Sequence, residues 1–196
     1  LNANDERGNN LDVMVSGLAG WSLIASGADL ENHAGDTVYQ LAYGGLEKER
    51  WGDFRIKGGF GYQDSEGLRQ TIIGEVTWRL SDTRSLELHA EHQHVRVGGG
   101  FGFDLGEYDQ EYFELEYAVA PRWVFSGILE VNNKYDEQQA FGEKDGPFPA
   151  MSVAYASYGG SSVTLWAGKR QAGWICSGGV CKVEPAFQGI ELFGVF

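Results

Sequence analysis

Residues 187–196, FQGIELFGVF, alternate two kinds of side chain with a period of two. Ile190, Leu192, Gly194 and Phe196 share one side of an extended chain, and Gly189, Glu191, Phe193 and Val195 share the other. A strand this long, half apolar and ending on an aromatic, suits the last strand of a transmembrane barrel, which closes by pairing with the first. That single stretch sets demands on the rest of the sequence. Other segments should be of membrane length, each should carry one apolar face, and short and long connections should alternate.

Ten segments meet the length demand: 11–24, 37–46, 53–63, 69–80, 85–97, 108–119, 122–133, 149–158, 161–170 and 187–196. Soluble strands average about 5–6 residues, whereas a tilted membrane-spanning strand needs about 9–11. The face pattern is clean in the middle of the chain. Ile72, Val76, Trp78 and Leu80 oppose Thr71, Glu75, Thr77 and Arg79, and Leu86, Leu88 and Ala90 oppose Glu87, His89, Glu91 and Gln93. Phe113, Leu115, Tyr117 and Val119 oppose Tyr112, Glu114 and Glu116, while Trp123, Phe125, Leu129 and Val131 oppose Ser126, Glu130 and Asn132. The expected fold is all-β: an antiparallel transmembrane β-barrel of about ten strands over residues 11–196, preceded by a flexible polar lead-in over 1–10. A second expectation stays open beside it, that these strands are the C-terminal part of a larger barrel.

Connections support the same reading. Stretches 171–186, 134–148 and 98–107 are long, whereas Gly159-Gly160, Ala120-Pro121 and 81–84 are tight. Tight periplasmic turns opposite long extracellular loops are the outer-membrane pattern. With an even strand count both chain ends should lie on the periplasmic side. Tyr43, Phe54, Trp78, Tyr117, Trp123, Tyr155 and Phe196 then form an aromatic belt near the periplasmic strand ends, where amphipathic rings suit a half-wet layer.

Composition removes several alternatives. A net charge of −13 argues against a nucleic-acid partner, which needs clustered Lys and Arg. No window offers eighteen uninterrupted apolar residues, so a transmembrane helix is not expected. The 29 Gly and only four Pro favour strands and turns. The sequence opens on Leu1 without a basic or apolar leader, as expected of a form after signal removal or of the C-terminal part of something longer. Outer-membrane lipids, and other envelope subunits, are the expected partners; no cofactor is expected.

Cys176 and Cys181 flank a Gly-rich stretch, and an even count at that spacing reads as a local disulfide. Gly178-Gly179 allows the tight turn such a bridge demands. A metal site or free thiols remain as alternatives, although no further ligand is near in sequence.

Residues 168–196, GKRQAGWICSGGVCKVEPAFQGIELFGVF, hold Lys169-Arg170, Gly173, the Cys-Ser-Gly-Gly-Val-Cys loop, Pro185 and a final Phe-x-Gly-x-Glu strand. This segment resembles the C-terminal signature of an uncharacterised family of Bacteroidota outer-membrane barrel proteins, and a looser likeness extends over about the last ninety residues. The resemblance implies a fold and a Gram-negative outer-membrane location, and no activity.

Side chains that could carry function fall in two groups. Glu75, Glu87, Glu91, Glu114, Glu116, Glu130 and Glu191, partly balanced by Arg55, Lys57, Arg79 and Arg170, should face the lumen. They would either favour cations in a water-filled channel or form a paired network that fills a narrow barrel. His92-x-His94 near the extracellular rim could supply two metal ligands, but rim histidines are more often interfacial. Ser22 or Ser157 could serve a lipid-interface hydrolase, yet nothing in the sequence sets either beside a histidine. Asp104, Glu107, Asp109 and Glu111 lack the ligand spacing of a calcium loop, and Gly98 to Gly100 lack the context of a phosphate loop. The expected role is passive transport or envelope scaffolding without chemistry of its own. The alternatives are an outer-membrane lipid-modifying hydrolase and a soluble ligand-binding β-barrel.

Overall fold

The structure, a computed structural model of the 196-residue chain, describes residues 6–32, 37–64, 67–99, 103–133, 147–157, 160–170, 173–177, 180–184 and 187–195. Thirteen strands occupy them: β1 (Glu6–Leu18), β2 (Trp21–Asn32), β3 (Thr37–Trp51), β4 (Phe54–Asp64), β5 (Gly67–Ser81), β6 (Arg84–Gly99), β7 (Phe103–Val119), β8 (Trp123–Asn132), β9 (Phe148–Ala156), β10 (Ser162–Arg170), β11 (Gly173–Ser177), β12 (Val180–Glu184) and β13 (Phe187–Val195). Among the described residues there is no helix. Eleven strands form one antiparallel sheet in the order β1 through β10 and then β13, while β11 and β12 pair only with each other.

Three features differ from the sequence expectation. The segment 11–24 is not one strand. The chain reverses at Ala19 and Gly20, whose φ angles of 53° and 79° give the doubly positive backbone of a two-residue hairpin turn. Strand β1 therefore starts at Glu6, inside the stretch expected to be a flexible lead-in, and pairs with β2 from Glu6↔Asn32 onward. The stretch 98–107, expected to be a long loop, is mostly strand, since β6 runs to Gly99 and β7 starts at Phe103. Finally, the stretch 171–186 carries the β11–β12 hairpin.

Splitting the first segment raises the main-sheet count to eleven and changes the topology. With an odd number of successive antiparallel strands, β1 and β13 run in the same direction. The expected closure, an antiparallel ladder between first and last strand, is unavailable, and the described sheet is open with β1 and β13 at its edges. The strand directions likewise put the start of β1 at the long-connection end and the end of β13 at the tight-turn end. The two chain ends were expected on one side.

The chain divides into two compact units. The first comprises Leu1–Val76 and Ala90–Gln110, and its ladders put like with like. Leu23↔Leu46, Ala25↔Gly44 and Val13↔Ala25 share one face, while Ser22↔Glu47, Ser26↔Tyr43 and Glu47↔Lys57 share the other. The second unit comprises Thr77–His89 and Glu111–Phe196. There Trp123↔Tyr155, Phe125↔Val153, Val163↔Tyr155 and Leu165↔Leu192 line one face, and Ser126↔Ser152 and Trp166↔Glu191 line the other. Strict period-two alternation makes this sorting automatic once the register is set.

Among the described residues the apolar face is the exposed one, and the glutamate face is the more buried of the two, with the Glu47 and Glu75 side chains 13% exposed. Val95 is the one buried hydrophobic side chain among the described residues, whereas Ile72 is 56%, Leu192 71% and Ile190 72% exposed. Each unit has an apolar face and a glutamate face, and among the described residues hydrophobic burial is confined to Val95.

Candidate functional site

The glutamate face in the first unit is a compact ion-pair cluster. Arg55 donates from Nε to Glu47 Oε1 at 2.7 Å, and its Nη2 lies 2.6 Å from the same oxygen. Its Nη1 lies 3.8 Å from Glu75, whose other oxygen accepts from Lys57 Nζ at 3.4 Å. Two carboxylates and two cations from β3, β4 and β5 are thus linked at successive same-face positions. Glu47 was not among the residues singled out from sequence. Its place on this face follows only once β3 is known to continue past Leu46 to Trp51.

Tyr43 stands on this face and not on the aromatic belt. Its register partners are Ser26 and Gly61, and its ring lies across Gly45 and Gly59, themselves opposed in the ladder. A Cβ at Gly45 would sit 2.8 Å from the Tyr43 hydroxyl oxygen, and one at Gly59 2.8 Å from Cζ. Register puts Tyr43 on the polar side, and the two glycines leave the space that its ring fills.

In the second unit the face has more carboxylates than cations among its bonded partners. Glu87 accepts from Thr77 Oγ1 at 2.9 Å, and Glu114 accepts from the Tyr112 hydroxyl at 2.8 Å. Tyr112 also meets the His89 ring edge-on, with centroids 5.7 Å apart. Glu116 follows Glu114 on the same face of β7, as Glu130 lies between buried Ser126 and Asn132 on β8. Arg79 stands two residues beyond Thr77 on β5, and Glu191 stands opposite Trp166 on β13. Arg170 pairs with Phe187 in the ladder, and its side chain lies outside the described ones. In the first unit Glu91 accepts a hydrogen bond from Gln93.

On the apolar faces, Phe54 in the first unit and Trp78, Tyr117, Trp123 and Tyr155 in the second stand within a few residues of the tight turns. Trp123 stacks on Phe125 at 6.1 Å and meets Tyr155 at 4.8 Å, while Tyr155 accepts a hydrogen bond from Arg122 at 2.9 Å. Two further aromatics of this kind, Trp21 and Trp51, open β2 and close β3. The hairpin turn that sets Trp21 at a strand end was missed in the sequence, so Trp21 was missed as well. Phe196 lies outside the described residues.

In the first unit, the parts of β6 and β7 farthest from the tight turns carry a charged rim. His94 Nδ1 lies 2.8 Å from Asp109 Oδ1 and its Nε2 3.9 Å from Glu107, which also pairs with Arg96. The side chain of Asp104 lies outside the described ones. Among the described residues no group of three or more His, Cys, Asp or Glu is arranged to hold a metal ion. Of the two candidate nucleophiles, Ser22 has its hydroxyl 3.1 Å from that of Ser16, and Ser157 lies in the β9–β10 turn. Cys176 and Cys181 are direct partners in the β11–β12 ladder, a pairing whose Cα separation, about 4.5–5.5 Å, is one a disulfide can span. Their side chains are outside the described ones.

A family model matches residues 55–193, described as a family of unknown function, DUF6029. The chain belongs to this family. The DUF6029 match runs from the start of β4 to β13, far beyond the C-terminal stretch 168–196. A search of the curated proteins and of the solved structures returns no match.

Proposed function

We propose that this DUF6029 chain forms part of the wall of a transmembrane β-barrel and that the barrel is a passive, cation-preferring pore. The observation that carries the reading is the division of chemistry between the faces of one sheet. Strands of 9 to 17 residues expose Ile72, Leu88, Leu115, Leu165 and Leu192 on one side and line the other with glutamates. In water such an uncovered apolar face is a liability, whereas against acyl chains it is the stable arrangement. The aromatics beside the tight turns and the ion-paired rim at the opposite end fit two interfaces. The likeness of 168–196 to Bacteroidota barrels supports a bacterial outer membrane with the tight turns on the periplasmic side.

Parity favours a pore over a scaffold. An antiparallel barrel holding eleven successive strands needs an odd number of further strands, so the smallest closed form has twelve. About eight strands already give an interior that side chains just fill, and width grows with strand number. Twelve strands give a wider interior than that, and aqueous channels are found in barrels of about sixteen to eighteen; in such a lumen Glu87, Glu114, Glu116 and Glu130 would give negative potential. No covalent chemistry is assigned to it.

Single-channel recording in planar bilayers tests this reading. Stable conductance with reversal potentials that favour cations is expected, and Glu114→Gln with Glu116→Gln should lower that preference. Folded, inserted protein without conductance would reject the pore and leave the scaffold role.

A further inference from the structure

We infer that the apolar face of the first unit holds one anionic glycerophospholipid at a built site, an inference that rests on the membrane reading above. This face is not uniformly filled. Ala25 faces Gly44, and Leu46 faces Gly58, in neighbouring ladders. The result is a groove floored by Gly44 and Gly58 and walled by Val13, Val15, Leu23 and Leu46. Side chains bordering an empty groove lose dispersion contacts on that side, and a flexible polymethylene chain is the shape that restores them. The lining offers no side-chain hydrogen-bond donor or acceptor, so it suits an apolar segment, which a lipid supplies as its acyl chain.

The groove ends at a cation. The next same-face pair toward the tight turn is Trp21↔Lys48, about 7 Å along the strands from Leu23↔Leu46. The Lys48 ammonium sits 5.3 Å over the Trp21 ring and donates to the carbonyl of Ala19. That leaves two of its three N–H donors for an acceptor outside the protein. A long flexible side chain is therefore pinned at the groove mouth, at the level where Trp51 and Phe54 also stand on this face. A negatively charged phosphodiester headgroup above an acyl chain matches this arrangement in sign and order. A zwitterionic lipid would fill the groove but gain less from Lys48.

The glycines provide the test. A Cβ at Gly44 meets nothing within 4 Å, so Gly44→Leu starts from open space and directs its side chain into the groove. Gly74, on the same face of β5 and outside the groove, also has open space around its Cβ and serves as control. The intact barrel that contains this chain, and its variants, are purified in detergent and equilibrated with equal phosphatidylglycerol and phosphatidylcholine. Retained lipid is then counted by native mass spectrometry. The wild type should retain one phosphatidylglycerol, favoured about fivefold over phosphatidylcholine, the ratio expected from one lysine near a membrane surface. Gly44→Leu should lose the retained lipid, Lys48→Gln should keep a lipid but lose the preference, and Gly74→Leu should match wild type. Equal retention of both lipids by wild type, or unchanged retention in Gly44→Leu, would overturn the site. So would equal loss in Gly44→Leu and Gly74→Leu. Flotation with vesicles separates the two ideas: a chain that floats but shows no preference loses only the lipid site, whereas one that does not float loses the membrane reading too.

Discussion

The contact of Tyr43 with Gly45 and Gly59 makes a quantitative prediction. Adding a methyl at Gly59 places a Cβ 2.8 Å from Tyr43 Cζ and 2.9 Å from Cε2, well inside normal contact. The obstacle is a side chain and not backbone, so the ring can move, and the open direction is over Gly45. Gly59→Ala should therefore cost only about 1 kcal/mol, the low end of the overpacking range. Closing that escape with Gly45→Ala as well, where a Cβ would meet ring atoms at 3.2 Å, should expel the ring and bring the total to about 2–3 kcal/mol. Gly44→Ala, one residue away on the open face, should be neutral or stabilising by up to about 1 kcal/mol through reduced chain entropy. Urea unfolding in detergent micelles, followed by tryptophan fluorescence, reads each shift as a change in midpoint at constant slope. In a Tyr43→Ala background the penalties at Gly45 and Gly59 should vanish, because the group they strike is gone. Equal midpoints for Gly59→Ala and Gly44→Ala, or a Gly59 penalty that persists without the ring, would refute the packing argument and the assignment of Tyr43 to the glutamate face.

Further outcomes follow from other contacts. Gly168→Ala should destabilise more than Gly59→Ala, because its Cβ would strike the backbone of Ala150 and lie 2.6 Å from the Pro149 carbonyl oxygen, neither of which can swing aside; the same urea titration measures it. The unreduced chain should be two hydrogens lighter than the dithiol by mass spectrometry, with Cys176 and Cys181 in one cross-linked peptide; alkylation of both thiols without reductant would reject the bond. Brominated lipids should quench the fluorescence of Trp78 and Trp123, which are 43% and 44% exposed on the apolar face, and unquenched emission from folded protein would count against lipid contact there. Arg96→Gln should cost less than about 1 kcal/mol in urea midpoint, since its pair with Glu107 is solvent-exposed at the rim.

How far the sequence could be read depended on what each residue had to decide. From β4 to β10 nearly every strand lies within a few residues of its expected bounds, because alternation of glutamate with Leu, Phe or Trp leaves one register that keeps charge off the apolar face. The amino-terminal hairpin gave no such signal. Its turn is Ala19-Gly20 in the run GLAGW, with alanine where asparagine or aspartate usually marks a two-residue turn. Alanine at φ 53° is unfavourable locally, and its carbonyl is held by Lys48, twenty-nine residues away, a long-range contact that no local pattern reveals. Tyr43 was misplaced for a similar reason: among Ala42, Gly44 and Gly45 there is no polar residue to mark the face, and the deciding partner, Gly59, is on the next strand. One missed turn then governed the largest consequence. It added a strand, made the count odd, set β1 and β13 in the same direction and removed the closure that the C-terminal strand had suggested. The chemistry of each face survives such an error because it depends on alternation alone. The width of the barrel does not, because it depends on a count, and a count is only as good as its least visible turn.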